Sequence, residues 1–302
     1  MIEPIELKSE YDGLRLGAVI VSPSSEPKAL LQIAHGMCGG KDRFIPFMEY
    51  MAERGVACIA HDHRGHGESV LSDADLGYMY GGGKEAVVSD MQQVSDLVSE
   101  RFPDKQIYLL GHSMGSLAVR SYIKNHDQGL AGVILCGTPC YNPFARIGHI
   151  LCVTACALGM GRLRPELIHR LISDSYNRDF AYEGEQAWIC SDPSVRKTFI
   201  ENPKHNFRFT LDGSRTLMSL MLDAYDRKGF TSGHKSLPVL FLSGEDDPCM
   251  GGCLVLDKTA CFLRESGYDD VRTKTYPAMR HEILNEIGKE QVWLDIISFM
   301  NV

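Results

Sequence analysis

The chain has no long apolar run, no basic stripe and no paired C-x-x-C motifs, and each absence removes a class of function. A bilayer-spanning helix needs about 20 consecutive apolar residues. The nearest candidate, from Ile147 to Gly161, is too short and carries His149, so no stable membrane insertion is expected. Lys and Arg total 31 against 39 Asp and Glu, a formal net charge of −8. An acidic chain without a Lys/Arg stripe has no electrostatic reason to seek nucleic acid or an anionic membrane face. The opening residues, Met1-Ile2-Glu3-Pro4-Ile5-Glu6-Leu7-Lys8, have neither a basic start nor an apolar core, so no secretory signal is expected. Cys152/Cys156 and Cys249/Cys253 each have i, i+4 spacing and no second pair, which argues against zinc. Ten cysteines in 302 residues do not make a small disulfide scaffold. Cys58 and Cys136 sit inside apolar strand-like runs, where a thiol acts as a small apolar group. Free thiols in a reducing cytoplasm are expected, with no metal and no cofactor. The oligomeric state is not legible in the sequence.

What the chain does have is alternation. Leu14–Ser22, Ala29–Ala34, Val56–Ala60, Gln106–Leu110, Gly132–Gly137, Leu237–Leu242 and Val271–Tyr276 read as strands. Between them, Phe44–Arg54, Lys84–Arg101, Ser116–Lys124 and Val292–Met300 read as helices. In the second of these, Val87, Met91, Val94 and Val98 form one apolar stripe that ends near Pro103. Continuous apolar strands alternating with helices predict a mostly parallel central sheet covered on both faces by helices, in a single domain over 1–302. The alternation breaks at 141–207, which has prolines, aromatics and helical stretches but no clear core strand. That region is expected to be a helical cap inserted over the strand ends, where open α/β sheets bind ligands.

Chemistry concentrates at Gly111-His112-Ser113-Met114-Gly115, which lies between a predicted strand and a predicted helix. A G-x-S-x-G in that setting is a nucleophile elbow: a tight turn lifts the serine hydroxyl above the sheet and aims a helix N-terminus at the site. A serine hydroxyl is a poor nucleophile without a base, and the base needs an orienting acid. Two later strand ends supply them, Ser243-Gly244-Glu245-Asp246-Asp247-Pro248 and Pro277-Ala278-Met279-Arg280-His281-Glu282. His281 directly follows a late strand and precedes the closing helix. Asp247 is favoured over Asp246 because Pro248 keeps the residue before it extended. The order Ser113, Asp247, His281 is that of α/β-hydrolases. Developing negative charge on the substrate needs donors. Gly36 permits a turn that aims the Met37 amide inward, and the Met114 amide follows the nucleophile, so these two backbone groups are the expected oxyanion hole.

With Arg43-Phe44, Asp62-His63-Arg64-Gly65-His66-Gly67-Glu68-Ser69 and Tyr276-Pro277-Ala278-Met279-Arg280-His281-Glu282-Ile283-Leu284-Asn285-Glu286 added to these motifs, the chain resembles the monoacylglycerol lipase and lysophospholipase branch of the α/β-hydrolase superfamily. The resemblance spans nearly the whole core but not the cap. It implies a Ser-His-Asp hydrolase of acyl esters with Asp247 as the acid and Met37 and Met114 as the oxyanion amides. One departure stands out: Gly39-Gly40 replaces the Glu-His frequent in that branch, which implies a missing prop and a more mobile loop.

Other features read as structural. Asp62-His63-Arg64-Gly65-His66-Gly67 looks like a metal cluster but follows a strand and is full of turn residues, with Arg64 expected to pin the loop. Gly81-Gly82-Gly83 lacks the Lys-Ser/Thr of a phosphate loop. Cys38 and Cys249 neighbour catalytic loops and read as packing residues.

The expected substrate is a small-molecule acyl ester, a monoacylglycerol or lysophospholipid cleaved through an acyl-enzyme. Ile147, Leu151 and Leu158 are the expected apolar walls for an acyl chain. Competing readings are a small-ester esterase, a thioesterase, or a proline iminopeptidase-like enzyme that holds a substrate amine with Glu166, Asp174, Asp179, Glu183 or Glu185. A non-enzymatic ligand receptor on the same fold is the third class.

Overall fold

A computed structural model describes residues 1–170, 175–230 and 233–302. Of the residues singled out in the sequence, only Asp174 falls outside them. Two antiparallel strands open the chain, β1 (Ile2–Lys8) and β2 (Arg15–Val21). Then β3 (Ala29–Ala34), α1 (Ile45–Ala52), β4 (Val56–His61) and α2 (Gly83–Arg101) follow. Next come β5 (Ile107–His112), α3 (Met114–His126) and β6 (Leu130–Cys136). The chain ends with β7 (Val239–Gly244), α9 (Cys253–Glu265), β8 (Val271–Tyr276) and α10 (Lys289–Met300).

The strands form one eight-stranded sheet in the order β1-β2-β4-β3-β5-β6-β7-β8. From β4 through β8 every pairing is parallel. β3, β4, β5 and β7 are buried along their whole length, as their near-continuous apolar sequences require when helices cover both faces. Two apolar layers lie on the two faces: one carries Val87, Met91, Val94 and Val98 of α2, the other Trp293 and Ile296 of α10. β3 connects to β4 on one side while β5 lies on the other. That reversal opens a crevice at the carboxyl ends of β3 and β5, where ligands bind in such sheets.

Between β6 and β7 the described residues hold helices and turns and no strand: α4 (Ala145–Ala157), α5 (Glu166–His169), α6 (Ser175–Asn177), α7 (Pro193–Glu201) and α8 (Leu211–Ala224). The strand-free stretch therefore runs past residue 207. Helix α8 packs against α4 on one side and against α2 and α3 on the other, joining the insertion to the core.

Candidate active site

Ser113 sits between β5 and α3 with φ 54 and ψ −119, a conformation costly for any residue bearing a Cβ. It persists because its surroundings fix it. Ser113 N–H donates to Cys136 O at 3.0 Å, and Ser116 Oγ donates to Ser113 O at 2.6 Å. Gly115 must lack a side chain, since a Cβ there would lie 2.0 Å from Ala34 O. A Cβ on Gly36 would lie 2.9 Å from Ser113 Cβ, so the loop after β3 abuts the elbow. Met37 N–H in that loop donates to no protein acceptor among the described residues. Met114 N–H is the first amide of α3 and has no intrahelical acceptor.

His281 follows β8 and is 3% exposed. Its Nδ1 donates to Asp247 Oδ2 at 3.0 Å. Asp247, at the end of β7, is 2% exposed; its Oδ1 accepts from Cys249 N–H at 2.8 Å, and Ser243 Oγ donates to its Oδ2 at 3.3 Å. Asp246 is exposed, and its N–H donates to Met279 O, so the two neighbours stand in different surroundings. Burial pushes the His281 imidazole toward the neutral form, but the Asp247 carboxylate outweighs it and raises its proton affinity well above the ordinary value. The Ser113 hydroxyl itself makes no protein hydrogen bond among the described residues. Such catalytic contacts are often loose before substrate enters.

Ser113, His281, Met37 and Met114 all line one cavity of about 590 Å³. Its walls include Ile147 and Leu151, and Leu158 does not join them. Helix α4 ends at Ala157, and Gly159 at φ 81 turns the chain away, which leaves Leu158 71% exposed. The cavity is also lined by Leu217, Met218 and Met221 of α8, which no motif in the sequence marks, and by Trp188, whose ring centroid lies 4.9 Å from that of His281. Only contacts across the fold show these residues.

The one carboxylate lining the cavity among the described residues is Glu282, and it is paired with Arg43 and accepts from Asn285 Nδ2 at 3.0 Å. Burial raises the affinity of Glu282 for a proton, and Arg43 overcomes it to hold the carboxyl below its usual range. Of the cap acids, Glu183 is bound by Arg280 and Arg196, Glu166 pairs with Arg170, and Asp179 and Glu185 are exposed. None of these four lines the cavity.

Arg64 pins its loop as expected: it is fully buried, with Nε donating to Asp90 Oδ2 and an Nη to Asp12 Oδ2, both at 2.8 Å. At Gly40 the space is already taken. A Cβ there would come within 2.8 Å of Asp42 Oδ1 and 3.4 Å of His205 Nε2. His205 reaches in from the insertion to Asp42 Oδ1 at 3.1 Å, and Lys41 N–H donates to Asp62 Oδ1 at 2.8 Å, so this loop has props of its own. Burial pushes the Cys38 thiol up to about 12, and its Sγ donates to Phe207 O. Burial also raises Cys249, so neither thiol is poised as a thiolate. Asp247, Cys249 and His281 offer ligand atoms within 4.8 Å of one another, but the Asp247–His281 hydrogen bond accounts for their meeting.

This sheet order, elbow and strand-end pair define a serine ester hydrolase of α/β-hydrolase fold. Residues 25–288 match the serine aminopeptidase (S33) family, and the chain belongs to it. It is 25% identical over 293 residues to a monoacylglycerol lipase of Mycolicibacterium smegmatis, covering 95% of this chain and 93% of that one. A thermostable carboxyl esterase from Bacillus coagulans, solved in complex with glycerol, superposes with a TM-score of 0.92 at 25% identity over 99% of this chain and 98% of that one. A monoglyceride lipase variant from Saccharomyces cerevisiae shares the fold, with a TM-score of 0.74 at 18% identity, 99% of this chain and 96% of that one. The chain is a carboxylic-ester hydrolase, which removes the non-enzymatic receptor reading.

Proposed function

We propose that the chain cleaves single-chain acyl esters, of the monoacylglycerol or lysophospholipid type, through an acyl-enzyme. Ser113 Oγ attacks the ester carbonyl while His281 takes its proton. Asp247 holds the imidazole by Nδ1 and stabilises its charged form. The tetrahedral oxyanion is received by the Met37 and Met114 amides, each such donor contributing about 3 kcal/mol. His281 then protonates the departing alcohol, and water releases the acid by the same route in reverse. Residues 141–207, with α8, act as the cap that selects the acyl chain.

The observation that carries this reading is the joint lining of one cavity by Ser113, by the Asp247-bound His281 and by an apolar wall from Ile147, Leu151, Leu217 and Met221. Each methylene removed from water there contributes about 0.8 kcal/mol. The name of the Mycolicibacterium relative supports the same substrate class. A peptidase would need a free cavity carboxylate for a substrate amine, and Glu282 is committed to Arg43. The ten cysteines are all free thiols, which suits a reducing cytoplasm. No helix among the described residues is long and apolar enough to cross a membrane.

A screen of p-nitrophenyl esters of graded chain length beside amino-acid arylamides tests the substrate class. kcat/KM should rise over several carbons and then level off, with arylamides inert. A maximum at acetate would favour a small-ester esterase, faster turnover of matched thioesters a thioesterase, and strong arylamide cleavage a peptidase.

A further inference from the structure

Next to the catalytic cavity lies a second groove, and the two share Cys140 and Tyr141, the residues that follow β6. Four cations converge on it from four parts of the chain: Lys84 at the start of α2, Arg146 in the first turn of α4, Lys228 beyond α8 and Lys258 on α9. Two carboxylates, Asp223 and Asp226, line the groove with them, and Glu85 outside it pairs with Lys84 at 3.2 Å. Asp223 is already shared between Lys84 at 3.3 Å and Lys124 at 3.4 Å. Asp226 accepts the Lys228 N–H at 3.1 Å in a turn. Arg146, Lys228 and Lys258 have no carboxylate partner among the described residues. In a chain of net charge −8, this groove is locally positive and opens beside the catalytic centre. A guanidinium and several ammonium groups on a concave wall suit phosphate oxygens.

We propose that this groove binds a phosphate ester, either the head group of the acyl substrate or a free phosphate ester that occupies the same place. The proposal rests on the acyl-lipid reading of the main cavity. A neutral glycerol head group gives these cations nothing to neutralise. A phosphate joined to the ester alcohol reaches them past Cys140 and Tyr141 while the acyl chain stays against α4 and α8.

The test compares 1-lauroyl-lysophosphatidylglycerol with monolauroylglycerol, both below their micelle concentrations, in the wild type and in Arg146→Glu and Lys258→Glu. Charge reversal should lower kcat/KM for the phosphate ester about tenfold, leave the neutral ester within about twofold, and weaken its dependence on salt. Equal losses on both substrates, or none on either, would overturn the proposal. Glycerol 3-phosphate supplies the free-ligand arm. Calorimetric binding to Ser113→Ala that disappears in the Ser113→Ala/Arg146→Glu double variant supports the groove, and no binding together with no preference between the lipids overturns it. Failure of the wild type to cleave either lipid would refute the acyl-lipid reading instead, and the calorimetric arm then decides the groove alone.

Discussion

Arg280 and Glu183 tie the loop that carries His281 to the helical insertion. The guanidinium donates to both Glu183 oxygens, at 3.0 and 2.6 Å, and to Ala187 O at 2.7 Å. Beside them Glu282 N–H donates to Ile189 O at 2.8 Å, and Glu286 Oε1 accepts from both Arg280 N–H at 2.9 Å and Ser191 N–H at 2.7 Å. Trp188, in the same segment of the insertion, packs its ring against that of His281.

Arg280→Met leaves the Ala187 carbonyl and one side of Glu183 without a donor. It should lower stability by about 1–3 kcal/mol and reduce kcat more than it raises KM. Arg280→Lys should restore part of kcat. A change in KM alone, measured at a temperature where the variant stays folded, would show that the clamp shapes substrate binding and not the histidine.

The two neighbouring aspartates should behave very differently. Asp247→Asn should cut kcat by about 10⁴-fold by favouring the wrong imidazole tautomer, whereas Asp246→Asn should cost less than about twofold. The Asp247 carboxylate raises the proton affinity of His281, so its removal should shift the acid limb of the residual kcat/KM profile to lower pH. An unmoved limb would mean that another group titrates there.

Acid should destabilise the fold in a recognisable window. His35, His61 and His112 are buried, and desolvation lowers each to about 4; His66 is lowered by burial to about 3. Nearby Asp62 pulls His35 and His61 the other way, and Arg64 and Lys41 add to the lowering at His61. Folded imidazoles bind protons more weakly than unfolded ones. Below pH 6.5 the unfolded chain therefore takes up more protons, and stability falls as pH drops toward 4. Each such histidine contributes up to about 1.4 kcal/mol per pH unit across that window. Tm measured from pH 8 to 4 should be flat at first and then fall steeply below about 6.5. His66→Gln should flatten the fall, because it removes one of the contributing imidazoles. A Tm that rises on acidification would contradict the neutral, buried assignment.

The acyl wall can be tested by its two ends. Leu151→Asp should flatten the rise of kcat/KM with chain length and leave acetate ester turnover nearly intact. Leu158→Asp should change neither, because that side chain lies outside the cavity. Matching effects at the two positions would mean that α4 continues further than the turn at Gly159 allows.

The core strands were legible because burial on both faces leaves an uninterrupted apolar run, and Ala29–Ala34 matches its strand end to end. β1 was not, since Ile2–Lys8 is an edge strand with every second residue exposed and a proline in it. The strands Ser113, Asp247 and His281 follow could be located from the sequence because each partner sits at a strand end. The cavity wall was only half legible. Ile147 and Leu151 fall on one helical face, but that periodicity could not show where α4 stops. Leu217, Met218 and Met221 belong to a helix beyond the expected insertion and reach the site only through its packing on α4. Likewise His205 stands near the Gly40 position from far along the chain, a contact no local motif announces.

The assignment of Ser113 as nucleophile is most directly read by intact mass after treatment with a fluorophosphonate. The wild-type chain should gain one phosphonyl adduct, mapped by peptide sequencing to Ser113, with loss of esterase activity in proportion to labelling. Ser113→Ala should gain none while keeping the wild-type fold by circular dichroism. An adduct of the same mass on folded Ser113→Ala, or esterase activity retained by that variant, would contradict it.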